Sequence, residues 1–390
     1  MASELEGVRV LVVGASGFLG GRLVERLVLE HGARVRVLVR RVMGAASLAR
    51  LPIEVLVGDV LDPAVVEAAA DGCAVIFNCA KGKGGDPVLR RAVEVDGVQS
   101  LVRAAARNSA RLVQVSTVAV YDLHRDGVVD ETSPEAPAGD PYADAKLEGE
   151  RAALKLGAQL GVPVVVLQPT VIYGPNAGVH GTEIIEELTT GRVVLVNGGT
   201  GICNAVYVDD VVTALQLAAT ADQVFGERFL VTGPEHPTWA EFFASFEGML
   251  GLQRTVALTE EQAIALWRRS QRRPWLLPEA LRAAVQDRAL RSRLVGTREG
   301  ALARTVVRRL RDQQLVPLPA RQARHGDSAA TEQAELELQA PRPWLARYLA
   351  SKPMVTSDKA RELLGYEPAF DLEHGMALTE QWARWVGLLP

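Results

Sequence analysis

Long apolar runs are missing from this 390-residue chain, and no stretch reaches the length of a membrane-spanning helix. Cysteine is scarce. Its three residues, Cys73, Cys79 and Cys203, lie at spacings that suit neither a disulfide framework nor a set of metal ligands. A reducing compartment and no metal are therefore expected. Cys79 ends an apolar run and reads as a small buried hydrophobe. An excess of positive charge is also absent: 43 Lys and Arg face 47 Asp and Glu, and the formal net charge of -4 argues against nucleic acid as the main partner. Met1 to Gly7 carries Glu4 and Glu6 but no basic segment, so no signal peptide is expected ahead of the first strand. At 48% apolar and 23% charged residues, the composition suits a soluble cytoplasmic protein with one large domain or two unequal ones.

The stretch that organises the chain is Val8-Arg9-Val10-Leu11-Val12-Val13, followed by Gly14-Ala15-Ser16-Gly17-Phe18-Leu19-Gly20. The apolar, β-branched run reads as a buried parallel strand. Leu19, Leu23 and Leu27 then recur at helical spacing up to Gly32. Gly14 allows a tight turn, Gly17 a close approach of backbone N–H groups to a pyrophosphate, and Gly20 the packing of helix on strand. The helix N-terminus faces the anion. Glycines alone say little, but glycines that close a strand and open a helix point to a dinucleotide site.

Strand–helix alternation continues, which predicts a parallel sheet with helices on both faces. Val35–Val39 is a second strand ending in Arg40-Arg41. The residue at that end faces the adenosine ribose, where a guanidinium matches the 2′-phosphate of NADP and a carboxylate would suit NAD. A solvated basic turn is the plainer reading. A third strand, Ile53–Val57, leads to Gly58-Asp59-Val60, where Asp59 either meets adenine or caps the helix that begins near Pro63. The fourth, Ala74–Ala80, runs into Lys81-Gly82-Lys83-Gly84-Gly85, whose small residues leave room for a ribose and whose lysines could be merely solvated. A helix is expected over Val88–Asn108 and a fifth strand over Leu112–Val115.

That fifth strand delivers Ser116-Thr117, and after a proline-rich loop a helix opens with Pro141-Tyr142-Ala143-Asp144-Ala145-Lys146. Tyr142 and Lys146 are four apart and share one helix face. A free tyrosine titrates near about 10 and exchanges protons poorly at neutral pH. An ammonium about 4–6 Å away favours phenolate by about 1–3 pH units. Such a tyrosine can trade a proton with a carbonyl or carbinol oxygen that a hydroxyl from Ser116 or Thr117 holds. Elsewhere a pair of this spacing is usually structural; its place after strand five gives it weight.

Taken together, these motifs resemble the extended short-chain dehydrogenase/reductase family, the NAD(P)-dependent epimerase/dehydratase superfamily. Gly58-Asp59, Gln168-Pro169-Thr-Val-Ile-Tyr-Gly174-Pro175, Asn204-Ala-Val-Tyr-Val-Asp209-Asp210 and Asp358 to Pro368 add to the match, in the family's order. The resemblance covers about residues 8–250 and 353–385. It implies a Rossmann-type doubly wound parallel sheet with a smaller, mostly C-terminal substrate-binding domain. The implied division is 1–170 with 204–232 for NAD(P), and 171–203 with 233–390 for substrate, including an insertion at about 262–345. It further implies Tyr142 as general acid/base, Lys146 on the nicotinamide ribose, and Thr117 before Ser116 as the active-site hydroxyl. The loop Gly14, Ser16, Gly17, Phe18, Leu19 and Gly20 would hold the cofactor, with Arg40, Asp59, Val60 and Ala80 along it. Backbone after Pro169, around Val171, would meet the carboxamide. Family members often dimerise through the helix bearing Tyr142, so a homodimer is one expectation.

Two departures narrow the chemistry. The dehydratases of the family carry Asp-Glu after the active-site Thr, where this chain has Val118-Ala119, and water elimination needs that second pair. Many sugar-nucleotide members have Arg where Gln168 precedes Pro169, which weakens the case for a diphosphate-linked substrate. Farther on, a helix is expected over Glu183–Leu188 and a strand over Val193–Val196, Asn204 to Ala219 is expected to return to the sheet, and Trp239-Ala240-Glu241-Phe242-Phe243 reads as core. Between Arg268 and Arg311 stand thirteen arginines, no lysine and three acids. This reads as a lid for an anionic or thioester-linked small molecule, as a membrane-surface helix, or as a solvated insertion. Residues 320–340 read as a mobile loop, with Pro341 to Trp344 re-entering the fold. The leading expectation is an NADP-dependent oxidoreductase acting on a carbonyl/hydroxyl pair. A sugar-nucleotide epimerase with tightly held NAD and a non-catalytic cofactor sensor are the alternatives.

Overall fold

The computed structural model describes residues 4–82, 86–136, 139–271 and 338–389. Its first half alternates strand and helix: β1 (Arg9–Val13), α1 (Phe18–Leu29), β2 (Arg34–Val39), β3 (Glu54–Val57), α2 (Pro63–Ala70) and β4 (Val75–Asn78). Then come α3 (Pro87–Arg91), a π-helical turn (Ala92–Gly97), α4 (Val98–Asn108), β5 (Arg111–Val115), β6 (Gly127–Val129) and α5 (Pro141–Leu160). The second half continues with β7 (Val164–Pro169), β8 (Val171–Tyr173), α6 (Glu183–Thr190), β9 (Arg192–Val196), β10 (Ala205–Tyr207), α7 (Val208–Thr220) and β11 (Arg228–Val231). It closes with α8 (Trp239–Leu250), β12 (Thr255–Leu258), α9 (Glu260–Gln271), β13 (Leu338–Gln339), α10 (Pro343–Ala350), β14 (Pro353–Val355), α11 (Asp358–Leu364) and α12 (Leu372–Trp385).

Seven strands form one parallel sheet in the order β11-β7-β5-β4-β1-β2-β3. The strand order reverses at β1, which lies between β4 and β2, and the crevice beyond its carboxyl end is where such a sheet binds ligands. Helices cover both faces, so the inner strands are apolar almost throughout, as in β7, all of which is buried. One face packs α1 and α7 through Leu23, Leu27, Val211 and Leu215. The other packs α2 and α4 through Val66, Val98 and Leu101. A third core joins Tyr173, Tyr207, Trp239, Phe242, Phe246 and Met376, tying β8 and β10 to α8 and α12. Its rings meet edge to face, with Tyr173 centred 5.6 Å from Tyr207 and 5.8 Å from Phe242.

Three details differ from the reading of the sequence. The helix expected over Val88–Asn108 is interrupted by the π-helical turn, a widening that sequence periodicity does not encode. Asn204–Ala219 does not rejoin the main sheet. Its strand β10 pairs with β8 in a separate two-stranded ladder, and β11 supplies the seventh strand instead. Asp62, not Asp59, caps α2, accepting from the N–H groups of Ala64 and Val65 ahead of Pro63. Most of the arginine-rich stretch and of 320–340 lies outside the described residues; Arg268 and Arg269 are exposed at the end of α9.

Candidate active site

The turn after β1 is built by sterics. Gly14 takes a φ of +85°, and a Cβ there would lie 2.6 Å from the Cys79 carbonyl carbon and 2.7 Å from the Ala80 nitrogen. A Cβ on Gly20 would run into the Gly14 carbonyl, so helix and turn sit closer than any other residue allows. Gly17 occupies the N-cap of α1 without a capping side chain, leaving that helix start to an outside acceptor. These features fit a dinucleotide: a bare helix N-terminus, a turn that only glycine can make, and a position at the reversal of strand order. Arg22 grips Asp209 of α7 through two bonds of 2.6 and 2.8 Å and fixes the helix one turn in.

The other residues expected to line the cofactor stand at the start of α1 and at the carboxyl ends of β2, β3, β4 and β7. Leu38 of β2 pairs with Val13, so exposed Arg40 and Arg41 follow at the same edge as Gly14. The segment after them closes on the turn, Gly44 lying against Ser16. Asp59 accepts the Leu61 N–H at 3.0 Å, and Val60 is buried beside it. Ala80 donates its N–H to Asn78 Oδ1 at 3.1 Å. Phe18 and Leu19 pack partly against the aromatic core. Pro169 ends β7, and the Val171 N–H is taken by the Asn204 carbonyl at 3.2 Å.

A second constellation gathers where β5 meets α5. Asp140 accepts from the N–H groups of Tyr142 and Ala143 at 2.7 and 3.0 Å, Pro141 fills the first helical position, and α5 starts there. Lys146, one turn on, is buried and donates to the Val115 carbonyl at 3.1 Å, next to Ser116. Thr117 accepts the Ala119 N–H at 3.2 Å and keeps its own proton to donate. Ser116 is buried and its Oγ has no hydrogen-bond partner among the described residues, while burial pushes the Glu150 carboxyl up against the opposing charge of Arg228. The Lys81 ammonium stands 4.8 Å from the centre of the Tyr142 ring. Lys83 lies outside the described residues.

Several partners escape a reading of the sequence. Glu94, in the π-helical turn, pairs with Lys146 at 2.9 Å, both side chains almost wholly buried. Burial opposes the lysine's charge, yet Glu94, with Tyr142 adding to it, holds the ammonium above the ordinary lysine value. Burial pushes the Cys79 thiol up while Lys146 pulls it down. Glu150, four residues past Lys146, accepts from Gln168 Nε2 at 3.0 Å and forms an ion pair with Arg228 at 3.2 Å, and Tyr121 donates to Gln168 Oε1 at 2.9 Å. Gln168 is thus committed to the core beneath the site. Burial lowers the His180 imidazole, with Lys81 adding to the effect. A signal for Glu94 did exist: it sits on one stripe with Val98, Leu101 and Ala105, an acid among buried apolar residues. Glu150 extends the four-residue spacing of Tyr142 and Lys146.

Residues 10–231 match the family model described as the NAD dependent epimerase/dehydratase family. The chain is 31% identical over 254 residues to sterol demethylase protein B of Methylococcus capsulatus, covering 63% of this chain and 75% of that one. It is 30% identical over 220 residues to a farnesyl-dihydroquinoline-oxide ketoreductase of Stigmatella aurantiaca, covering 54% and 64%. A 2-alkyl-3-oxoalkanoate reductase of Shewanella oneidensis is 26% identical, with 59% and 63% covered. The chain thus spans just under two thirds of both reductases. In fold it is similar to an epimerase from Methanothermobacter thermautotrophicus, with TM-score 0.68, 17% identity and 98% and 95% of the two chains covered. It is also similar to UDP-glucuronic acid 4-epimerase of Bacillus cereus, with TM-score 0.66, 16% identity and 97% and 100% covered. Among the described residues no helix is long and apolar enough to cross a membrane.

Proposed function

Since the chain belongs to the NAD dependent epimerase/dehydratase family and is an enzyme of the extended short-chain dehydrogenase/reductase type, we propose that it interconverts a carbonyl and a hydroxyl, using NADP, with Tyr142 as general acid/base. One observation supports the reading: buried Lys146, one helical turn after Tyr142, donates to the Val115 carbonyl at the carboxyl end of β5, two residues before Thr117. That end lies two strands from the glycine turn after β1. When bound, the nicotinamide supplies or accepts the hydride. In the reducing direction Thr117 donates a hydrogen bond to the carbonyl oxygen. The phenol O–H of Tyr142 breaks as the new carbinol O–H forms. Lys146 orients the cofactor's ribose and steadies the phenol, and the bare start of α1 with the Gly14 turn holds the pyrophosphate. Thr117 is the active hydroxyl, its Oγ1 accepting the Ala119 N–H and keeping its own proton to donate.

Support for NADP comes from Arg40 and Arg41, exposed at the end of β2 where no carboxylate stands. The substrate wall is assigned to 171–203 and 233–390, which contribute most of the aromatic core. Similarity to a named ketoreductase and a 2-alkyl-3-oxoalkanoate reductase, and the lack of an Asp-Glu pair after Thr117, favour carbonyl reduction over sugar-nucleotide dehydration. Loss of NADPH absorbance across a panel of β-keto acids, β-keto thioesters and ketones tests the proposal. Net oxidation of NADPH with one of them is expected. A copurifying NAD that never exchanges, with no net oxidation, would replace it with epimerisation.

A further inference from the structure

The catalytic corner carries a cation that the reading above does not use. Lys81 lies just past β4, and its Nζ stands 4.8 Å from the centre of the Tyr142 ring. The backbone on either side of it is fastened. The Ala80 N–H is donated to Asn78 Oδ1 at 3.1 Å, and the Gly82 N–H to Glu94 Oε1 at 3.2 Å. Gly82 also lies against α3, where a Cβ would come within 2.7 Å of the Arg90 Cα. The loop therefore fixes where this lysine starts, while its exposed side chain has no hydrogen bond or ion pair among the described residues.

The carboxylates on the adjoining elements are already engaged. Glu94 is taken by Lys146, and Glu148 by Arg91. Asp140 and Asp144 accept backbone N–H groups of Tyr142, Ala143 and Gly139, and Asp86 accepts that of Val88. His180, from the segment before α6, feels the Lys81 charge, but burial lowers its imidazole to about 4, so at neutral pH it brings no charge of its own. On the reading above, the cofactor's pyrophosphate belongs at the bare start of α1, whereas Lys81 Nζ reaches towards the start of α5.

We propose that Lys81 is a specificity-determining residue that binds a carboxylate of the substrate, so that the carbonyl brought to Tyr142 is that of an oxo acid rather than of a neutral ketone or a thioester. The inference rests on the assignment of Tyr142 above and adds the chemical class of the substrate. An ammonium is a compact point charge, which suits a monoanion held at one end, whereas a phosphate is matched by a forked guanidinium or a helix start. Fixing the carboxylate at Nζ restricts how the carbonyl can meet the phenol and so places it for the transfer. The carboxylate itself is unchanged. Hydride from NADPH reaches the carbonyl carbon, the phenol proton reaches its oxygen, and a hydroxy acid leaves.

The test compares 3-oxo acids with their methyl esters as substrates of the full-length protein and NADPH, in the wild type, in Lys81→Met and in Lys81→Arg. Lys81 is exposed, so neither substitution disturbs the core. The wild type should prefer the acid by about 10- to 100-fold in kcat/KM, the worth of one charge-assisted hydrogen bond. In Lys81→Met the preference should vanish, through KM more than kcat, and Lys81→Arg should restore most of it. Affinity for NADPH, read by calorimetry, should stay within about threefold of the wild type. Equal use of acid and ester by the wild type, an undiminished preference in Lys81→Met, or a fall in NADPH affinity as large as the fall in kcat/KM would overturn the proposal. A binding measurement separates it from the proposed activity. The corresponding 3-hydroxy acids, titrated into the NADP-bound protein, should bind about 10- to 100-fold more weakly to Lys81→Met than to the wild type, whether or not any carbonyl is turned over. Binding to both proteins alike, or to neither, contradicts the inference.

Discussion

The turn after β1 and the corner after β5 open onto the same end of the sheet but are built on opposite principles. At the turn, backbone does the work: Gly14 lies against Cys79 and Ala80, Gly20 lies against Gly14, and α1 begins with no side chain at its cap. At the corner, side chains do it: Lys146 bridges Val115 and Glu94, and Tyr142 stands one helical turn before it. A backbone site binds any dinucleotide of the right shape and distinguishes little. A side-chain site sets which proton moves and when. On the reading proposed above, the choice of reaction is made at the corner and in the substrate wall.

Mutations should separate the two regions. At the corner, Tyr142→Phe should lower turnover about 10²- to 10⁴-fold, with thermal stability and NADPH affinity close to wild type. On the rim of the turn, Arg40→Ala should weaken NADP binding about 10- to 100-fold, as expected for a lost charge-assisted bond, and leave NAD binding unchanged in calorimetry. Within the turn the pattern should invert. Gly20→Ala should cost about 1–3 kcal/mol of stability, visible in denaturant melts, and weaken both cofactors together. At the start of α5, Asp140→Ala should cost about 1 kcal/mol through the lost cap and displace Tyr142, so turnover falls with Tm.

Stability also has a pH signature outside both regions. Asp210 accepts the N–H groups of Ala369 and Phe370 at 2.8 and 3.3 Å. Burial pushes its carboxyl up to about 6, against those two bonds. The folded state therefore holds this proton more tightly than the unfolded chain. Its contribution is fully present below the ordinary carboxylate range and is lost as pH rises through about 6. The slope of stability against pH in that window should flatten in Asp210→Asn, read from melts at a series of pH values.

Legibility followed the same division. The Gly14–Gly20 turn could be read from one line of sequence because sterics impose one residue type at fixed offsets. Tyr142 and Lys146 could be read because a helix repeats every 3.6 residues and their spacing matches it. Glu94 stood out only as an acid on an apolar stripe; its pairing with Lys146 could not be read, since it is made through a π-helical turn that shifts the register of a helix that periodicity paints as continuous. Likewise β10 looked like a sheet strand. Its buried Ala205-Val206-Tyr207 pattern is equally satisfied by the small ladder with β8, and local sequence carries nothing to choose between them. Asp59 and Asp62 both precede a proline-led helix, and the one directly ahead of Pro63 took the cap.

The central claim, hydride exchange at a nicotinamide coupled to proton transfer by Tyr142, is tested most directly by isotope transfer. NADPH deuterated on the transferring face of nicotinamide C4 would be incubated with a reducible carbonyl substrate and the product examined by mass spectrometry. The account predicts one deuterium in the product for each cofactor oxidised by the wild type, and essentially none with Tyr142→Phe although the cofactor is bound. Deuterium reaching product at the wild-type rate in Tyr142→Phe would contradict it.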